Sequence, residues 1–259
     1  MVYRRNLQVI PGAGRSFMDQ TRYEYLSPSD QTRGHPPPPL EKPYGRERET
    51  IALPPVESLP APAITLRDAV ARRESVRSYA EQPMTLEELA FLLWATQGVR
   101  RVVRGYYTLR MVPSAGARHA FETYLLINRV EGVRSGLYRY LALEHRLVEE
   151  TAEAGVAERV AEACFNQPQI TASAVTFIWT AVPYRMIWRY GERGYRYLHL
   201  DAGHVCQNLY LAGEAVGCGT CAIAAFRDEM LNEILGIDGE EQFAIYCATV
   251  GKHTAGAPE

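Results

Sequence analysis

The chain has 259 residues, enough to bury a sizeable core as one large domain or two small ones. Charged residues make up 22% and hydrophobic ones 47%, with a formal net charge of −2 at pH 7. That balance argues against a protein that grips nucleic acid by neutralising many phosphates, leaving only a local basic patch to consider, and no apolar run reaches the roughly 18 residues of a membrane span.

The N-terminal stretch MVYRRNLQVIPGAG has no apolar core long enough for a secretory signal, so a cytoplasmic protein is expected. Five cysteines, an odd number in apolar surroundings, fit buried reduced thiols better than a disulfide framework. Cys218 and Cys221 form a C-x-x-C, but no second pair or spaced histidines complete a ligand set, so no metal is expected. The basic residues are almost all arginine. Lys42 and Lys252 are the only lysines, which draws attention to Lys252.

Residues 1–63 carry HPPPPL and LPPVESLPAPA; proline fixes φ and lacks an N–H, so this part reads as an extended arm lying over the domain or a neighbour. Within it, GAG at 12–14 follows LQVI but puts Phe17 where a dinucleotide loop needs its third glycine, and no helix is expected directly after it. Residues 64–259 read as the folded domain. Thr65 with Asp68, then Thr85 with Glu88, mark two helix starts, the second opening LEELAFLLWATQG. FETYLLIN (121–128) reads as a buried strand, GLYRYLALEHRLVEE (136–150) as a hairpin, and 151–165 as an amphipathic helix. SAVTFIWTAV (173–182) is the strongest strand. A helical region over 184–216, a strand TCAIAAF (220–226), a short helix DEMLNEIL and a strand FAIYCATV (243–250) follow. Strands and helices mix without a βαβ repeat, which makes the fold α+β.

The densest charge feature is RRESVRSY at 72–79. Arg72, Arg73 and Arg77 surround Ser75, and crowded guanidiniums repel unless solvent or an anion separates them; their planar forks suit phosphate oxygens. A solvated helix end with Glu74 as internal partner is the alternative reading. R-x-S-V-R after a first helix resembles the FMN-anchoring motif of the nitroreductase-like flavoproteins. Within that superfamily the chain is most similar to the SagB-type, thiazoline-oxidase-like dehydrogenase branch. LLWATQGV, VPSAGARH, GLYRYLALEHRL, RYGERGYRYLHLDAGHVCQNLYLAGEAVGCG and TVGK occur in the same order, and TRYEY at 21–25 resembles the branch's N-terminal arm.

The resemblance implies an α+β homodimer, an antiparallel or mixed sheet flanked by helices, with FMN at the subunit interface. It makes Arg73 and Ser75 phosphate ligands, with Arg72 beside them in the cofactor site, and puts Arg77 near the ribityl chain and the pyrimidine edge of the flavin. Lys252 completes the phosphate cradle. Pro113, Ser114, Ala115 and Gly116 match a turn laid against the partner's flavin. Asn166, with Gln167, matches a group bonding the flavin edge. Many nitroreductases carry Pro, Glu and Gly where this chain has Ala222, Ala224 and Ala225, so the contacts expected near Ala224 and Ala225 are backbone N–H groups. Azoline-oxidising members carry a Lys-Tyr pair. The matching residues are Arg189 and Tyr190, and arginine stays protonated and cannot serve readily as a base.

The expected function is therefore that of an FMN-dependent oxidoreductase passing a hydride through flavin N5. Its substrates are small molecules: NAD(P)H with a nitroaromatic or quinone-like acceptor, or an azoline in SagB-type dehydrogenation. A flavin-sequestering protein of the same fold is the rival reading. No nucleic-acid or membrane partner is expected. His204, three residues after Asp201 and on the same helical face, is read first as structural.

Overall fold

The computed structural model describes residues 12–59 and 64–254. Expectations for residues 1–11, including the LQVI run, and for 60–63 lie outside the described residues. Nine strands are defined among them: β1 Thr50–Ala52, β2 Val99–Val103, β3 Tyr107–Arg110, β4 Phe121–Ile127, β5 Gly136–Leu141, β6 Arg146–Thr151, β7 Val175–Ala181, β8 Cys218–Ile223 and β9 Phe243–Lys252. Seven form one sheet in the order β1-β6-β5-β4-β7-β9-β8, every pair antiparallel, while β2 and β3 make a separate ribbon. The helices are α1 Ala13–Gln20, α2 Leu66–Arg72, α3 Leu86–Gln97, α4 Val156–Ala163, α5 Gln169–Ala172, α6 Tyr184–Tyr190, α7 Gly194–Ala215 and α8 Asp228–Ile234. The fold is α+β, as expected.

The central strands β4 and β7 are buried at every position, which explains why they read as continuous apolar runs rather than alternating ones. Leu125, Phe177 and Trp179 face α3 and α7 through Leu92, Leu93, Leu198, Val205 and Leu209. Tyr124, Leu126 and Ile178 face α4, α5 and α8 through Val160, Ile170 and Leu231. Both sheet faces are thus covered. The start of α3 is fixed by its capping box: the Thr85 hydroxyl accepts from Glu88 N, and the Glu88 carboxylate accepts from Thr85 N at 2.9 Å.

The proline-rich segment differs from its expected extended form at a short helix and at two 3-10 turns, Tyr23–Tyr25 and Val56–Ser58. A helix, α1, does follow Gly12, which caps it at φ 83, and it buries none of its residues; the GAG stretch nevertheless keeps Phe17 at the third loop position. Further on, β1 pairs with β6 as the edge strand of the sheet. Between them the chain crosses its own domain because buried arginines satisfy its carbonyls. Arg139 donates to Lys42 O at 2.8 Å and Pro43 O at 3.2 Å, Arg185 to Pro39 O at 2.9 Å, and the Trp188 indole to His35 O at 3.1 Å. Prolines remove donors, not acceptors, so such a segment needs donors from below. Buried Glu122 balances both cations, 3.7 Å from Arg139 and 2.5 Å from Arg185, and accepts from Lys42 N at 2.6 Å. Removing Glu122 would leave the Arg185 guanidinium buried without a carboxylate, whereas Arg139 would keep Glu150 at 2.9 Å.

Candidate functional site

α2 ends at Arg72, and Arg73 caps it with φ −48 and ψ 117, so the chain leaves the helix extended. Ser75 then forms a parallel bridge with Thr220 of β8, and Val76 N donates to Thr220 O at 3.0 Å. This close approach needs a glycine at 219, where a β-carbon would lie 2.6 Å from the Val76 side chain. Arg72, Ser75 and Arg77 are exposed and Arg73 is half-buried. Among the described residues no ion pair joins Glu74 to any of the three arginines. Arg77 donates instead to Ser75 O at 3.3 Å. The cluster therefore holds forked donors with no carboxylate at ion-pair distance among the described residues, although Glu214 lies near enough to feel Arg72 and Arg73, and free forks of this kind suit an anion.

Lys252 stands at the same end of β8, opposite Cys218. Its ammonium is already engaged, however, by an ion pair with Glu88 and a bond to Val216 O at 3.2 Å. It can serve an anion at this cluster only by exchanging that carboxylate.

β8 is an edge strand, and it leads from the arginines to a second group. Ala222 N donates to the Tyr210 hydroxyl at 2.9 Å. Ala224 and Ala225 lie just beyond the strand end rather than inside it, both exposed, and their N–H groups make no hydrogen bond among the described residues. Gln167 reaches this point, its amide donating to Ala225 O at 3.3 Å and Cys164 O at 3.0 Å. Asn166 precedes it, exposed, in a left-handed conformation at φ 56. From Thr220 to Ala225 the track is about 17 Å long at a strand's rise per residue.

The remaining expected residues form a third group. The turn Pro113, Ser114, Ala115 and Gly116 leads out of the ribbon, and Asp201 of α7 anchors it by accepting from Ala115 N at 3.2 Å. Ser114 Oγ accepts from His119 N at 2.9 Å. Gly116, at φ 57, faces Arg189 and Tyr190, whose side-chain atoms occupy the space a β-carbon would need. The Tyr190 ring stacks edge-on against Tyr197 at 4.9 Å, and the Arg189 guanidinium lies 5.5 Å from the Tyr190 ring centroid. Asp201 and Tyr210 are nine residues apart on α7, about 13–14 Å along its axis. Within one chain, the turn and the Arg189–Tyr190 pair thus sit apart from the arginine cluster.

The nitroreductase family model matches residues 70–252 of this sequence. The chain belongs to the nitroreductase family. A Methanocaldococcus jannaschii protein provisionally named a nitroreductase is 37% identical over 202 residues, covering 78% of this chain and 96% of that one. The trifolitoxin-processing protein of Rhizobium leguminosarum is 27% identical over 162 residues, covering 61% of this chain and 43% of that protein. Among solved structures, one from Anabaena variabilis, also provisionally named a nitroreductase, superposes with a TM-score of 0.66 at 27% identity, covering 81% of this chain and 42% of that one. The chain thus spans less than half the length of the Rhizobium and Anabaena proteins.

In this nitroreductase-family chain, residues that sequence reasoning did not select tie the site together. Tyr210, buried, bonds both Ser75 Oγ and Ala222 N at 2.9 Å, and Arg73 lies 5.4 Å over its ring. Asp201 is buried, with Oδ2 unpartnered, and burial raises its carboxyl pKa. His204, one turn on, is exposed. All five cysteines are buried and free; burial pushes the Cys218 thiol up to about 12, which keeps it protonated and poorly suited to metal or redox work. No helix among the described residues is long and apolar enough to cross a membrane. A cavity of about 710 Å³ opens between the arm at Pro38–Pro43 and the loop before β9, and none of the residues expected to hold flavin lines it.

Proposed function

We propose that this nitroreductase-family protein is an FMN-dependent oxidoreductase that works as a homodimer. The observation that carries the reading is the edge of β8, which presents guanidiniums without a direct carboxylate partner and the Ser75 hydroxyl at one end and, among the described residues, the unbonded N–H groups of Ala224 and Ala225 at the other. A cofactor with a phosphate tail and a flat ring bearing acceptors fits that polarity. FMN, when bound, supplies hydride exchange at N5. Arg72, Arg73 and Ser75 hold its phosphate, and Arg77 lies toward the ribityl chain. The backbone at Ala224–Ala225 and the Asn166 amide would donate to the ring edge, whereas the Gln167 amide, bonded to Cys164 O and Ala225 O, would serve the ring only by giving up one of those bonds. Preorganised donors of this kind stabilise negative charge without reorganising.

In the homodimer that the family resemblance implies, the turn 113–116 and the Arg189–Tyr190 pair, set about 13–14 Å along α7 from Tyr210, would serve the site of the second copy. There, the small residues of the turn let backbone approach the ring, and Tyr190 offers a hydroxyl for proton transfer, while Arg189 supplies fixed positive charge. NAD(P)H as reductant with a nitroaromatic or quinone-like acceptor is the version favoured by the family. The tyrosine retained at 190 favours a second version, SagB-type dehydrogenation of a peptide azoline, in which Arg189 cannot act as the base.

The test is an absorbance spectrum of the purified protein between about 300 and 550 nm, repeated without oxygen after adding NADPH and then NADH. Flavin bands that bleach support the nicotinamide version. Bands that persist direct the assay to azoline peptides, and no turnover with either substrate class would leave a sequestering protein. Absence of bands even after adding FMN defeats the reading.

A further inference from the structure

Tyr210 bonds Ser75 at the arginine end of the β8 track and Ala222 N midway along it. Its hydroxyl lies 2.9 Å from Ser75 Oγ and 2.9 Å from Ala222 N, and the ring stands under the Arg73 guanidinium. A backbone N–H can only donate, so the Tyr210 oxygen accepts from Ala222. That leaves the phenolic proton to be placed. Ser75 is exposed and carries a single hydroxyl proton. If that proton goes to an anion, Ser75 Oγ must be an acceptor toward Tyr210.

We propose that Tyr210 is a positioning residue for the cofactor phosphate: its hydroxyl donates to Ser75 Oγ, which turns the Ser75 proton outward to the phosphate. This assignment rests on the FMN reading above. The three bonds then run in one direction, from Ala222 N–H through Tyr210 O–H to Ser75 O–H, and each polarises the next toward the negative charge. The same phenol closes an otherwise open donor on the edge strand and, through its ring, holds Arg73 beside Ser75. Losing the hydroxyl frees the Ser75 rotor and leaves Ala222 N–H without its acceptor, while a phenylalanine keeps the surface under Arg73.

The chain discriminates between flavins, because riboflavin has the ring and ribityl tail of FMN but no phosphate. Flavin-free full-length protein is titrated with FMN and with riboflavin by fluorescence quenching, for wild type, Tyr210→Phe, Ser75→Ala and the double variant. Tyr210→Phe is expected to weaken FMN on the order of tenfold and leave riboflavin unchanged. Ser75→Ala, at an exposed position that does not threaten folding, is expected to do the same, and the double variant to lose little more than either single one. Equal loss for both flavins, wild-type FMN affinity in Tyr210→Phe, or fully additive losses overturn the assignment while FMN binding by the wild type stands. A wild type that binds neither flavin overturns the FMN reading, and the assignment with it.

Discussion

The hydroxyl of Tyr190 occupies the space that a β-carbon at Gly116 would need. Two segments 74 positions apart are thereby brought into contact at the point where the chain turns left-handed, with φ 57 at Gly116. Both belong to the third group of the site, and the contact makes the position of the Tyr190 hydroxyl depend on the absence of a side chain at 116.

Gly116→Ala is therefore expected to destabilise the protein through a left-handed alanine, at about 1–2 kcal/mol, with a further cost from displacing Tyr190. The two costs separate in the Tyr190→Phe background, where the obstructing oxygen is gone and only the backbone strain and the Arg189 side chain, 3.0–3.1 Å away, remain. Denaturant unfolding of the four proteins in the cycle measures this. An equal cost of Gly116→Ala in both backgrounds would show that the hydroxyl does not press on this position.

Tyr190→Phe also bears on chemistry. If its hydroxyl moves a proton during turnover, its loss is expected to slow turnover by about 10²- to 10⁴-fold with flavin content unchanged. Steady-state rates on protein of matched flavin absorbance decide it. Full turnover in the variant would remove Tyr190 from the mechanism and leave it a packing residue against Tyr197.

Arg73→Ala removes a half-buried guanidinium that makes no ion pair among the described residues. The loss of its charge-assisted contacts is expected to cost on the order of 2–3 kcal/mol, about 30- to 150-fold in FMN affinity, with riboflavin little affected. Lys252→Ala is expected to cost less in FMN affinity than Arg73→Ala, because the Lys252 ammonium is paired with Glu88. A larger loss at Lys252 would mean that Glu88 gives way when phosphate binds.

Local chemistry made much of this molecule legible. The Thr85–Glu88 box starts α3 because its bonds are closed within four residues, and β4 and β7 declare themselves by β-rich apolar runs that only full burial accommodates. The RRESVRSY cluster was visible as a charge problem in need of a counter-ion. What escaped was either marked weakly in the local sequence or decided at long range. The ribbon of β2 and β3 turns through Arg104 at φ 52 and Gly105 at φ 68, a pair of left-handed residues that its Arg-Gly sequence marks only weakly. Helix α1 and strand β1 sit in a segment whose prolines argue only against long helices and central strands, which leaves a short helix and an edge strand open to it. The roles of Tyr210 and Asp201 exist only once α7 lies against β8 and the turn, since nothing in NLYL or HLDAG distinguishes a bonded phenol or carboxyl from one that merely packs.

The neighbourhood of the turn should also register in the pH dependence of stability. His119, whose backbone N–H donates to Ser114, is buried, and burial together with the positive charges of Arg110 and Arg118 lowers its pKa to about 3. An unfolded histidine titrates near 6.5. Between those values the unfolded chain binds a proton that the folded one refuses, so stability is full above the unfolded pKa and is lost as pH falls toward 3. From pH 7 to pH 5 this single group is expected to remove roughly 2 kcal/mol. His119→Asn keeps a residue that tolerates the local φ of 44 and has no proton to gain. Its unfolding free energy, measured by denaturant at pH 7 and pH 5, should fall less than that of the wild type by about this amount. Equal slopes would mean that His119 is solvated enough to protonate in place, and that the turn it supports is more open than its burial implies.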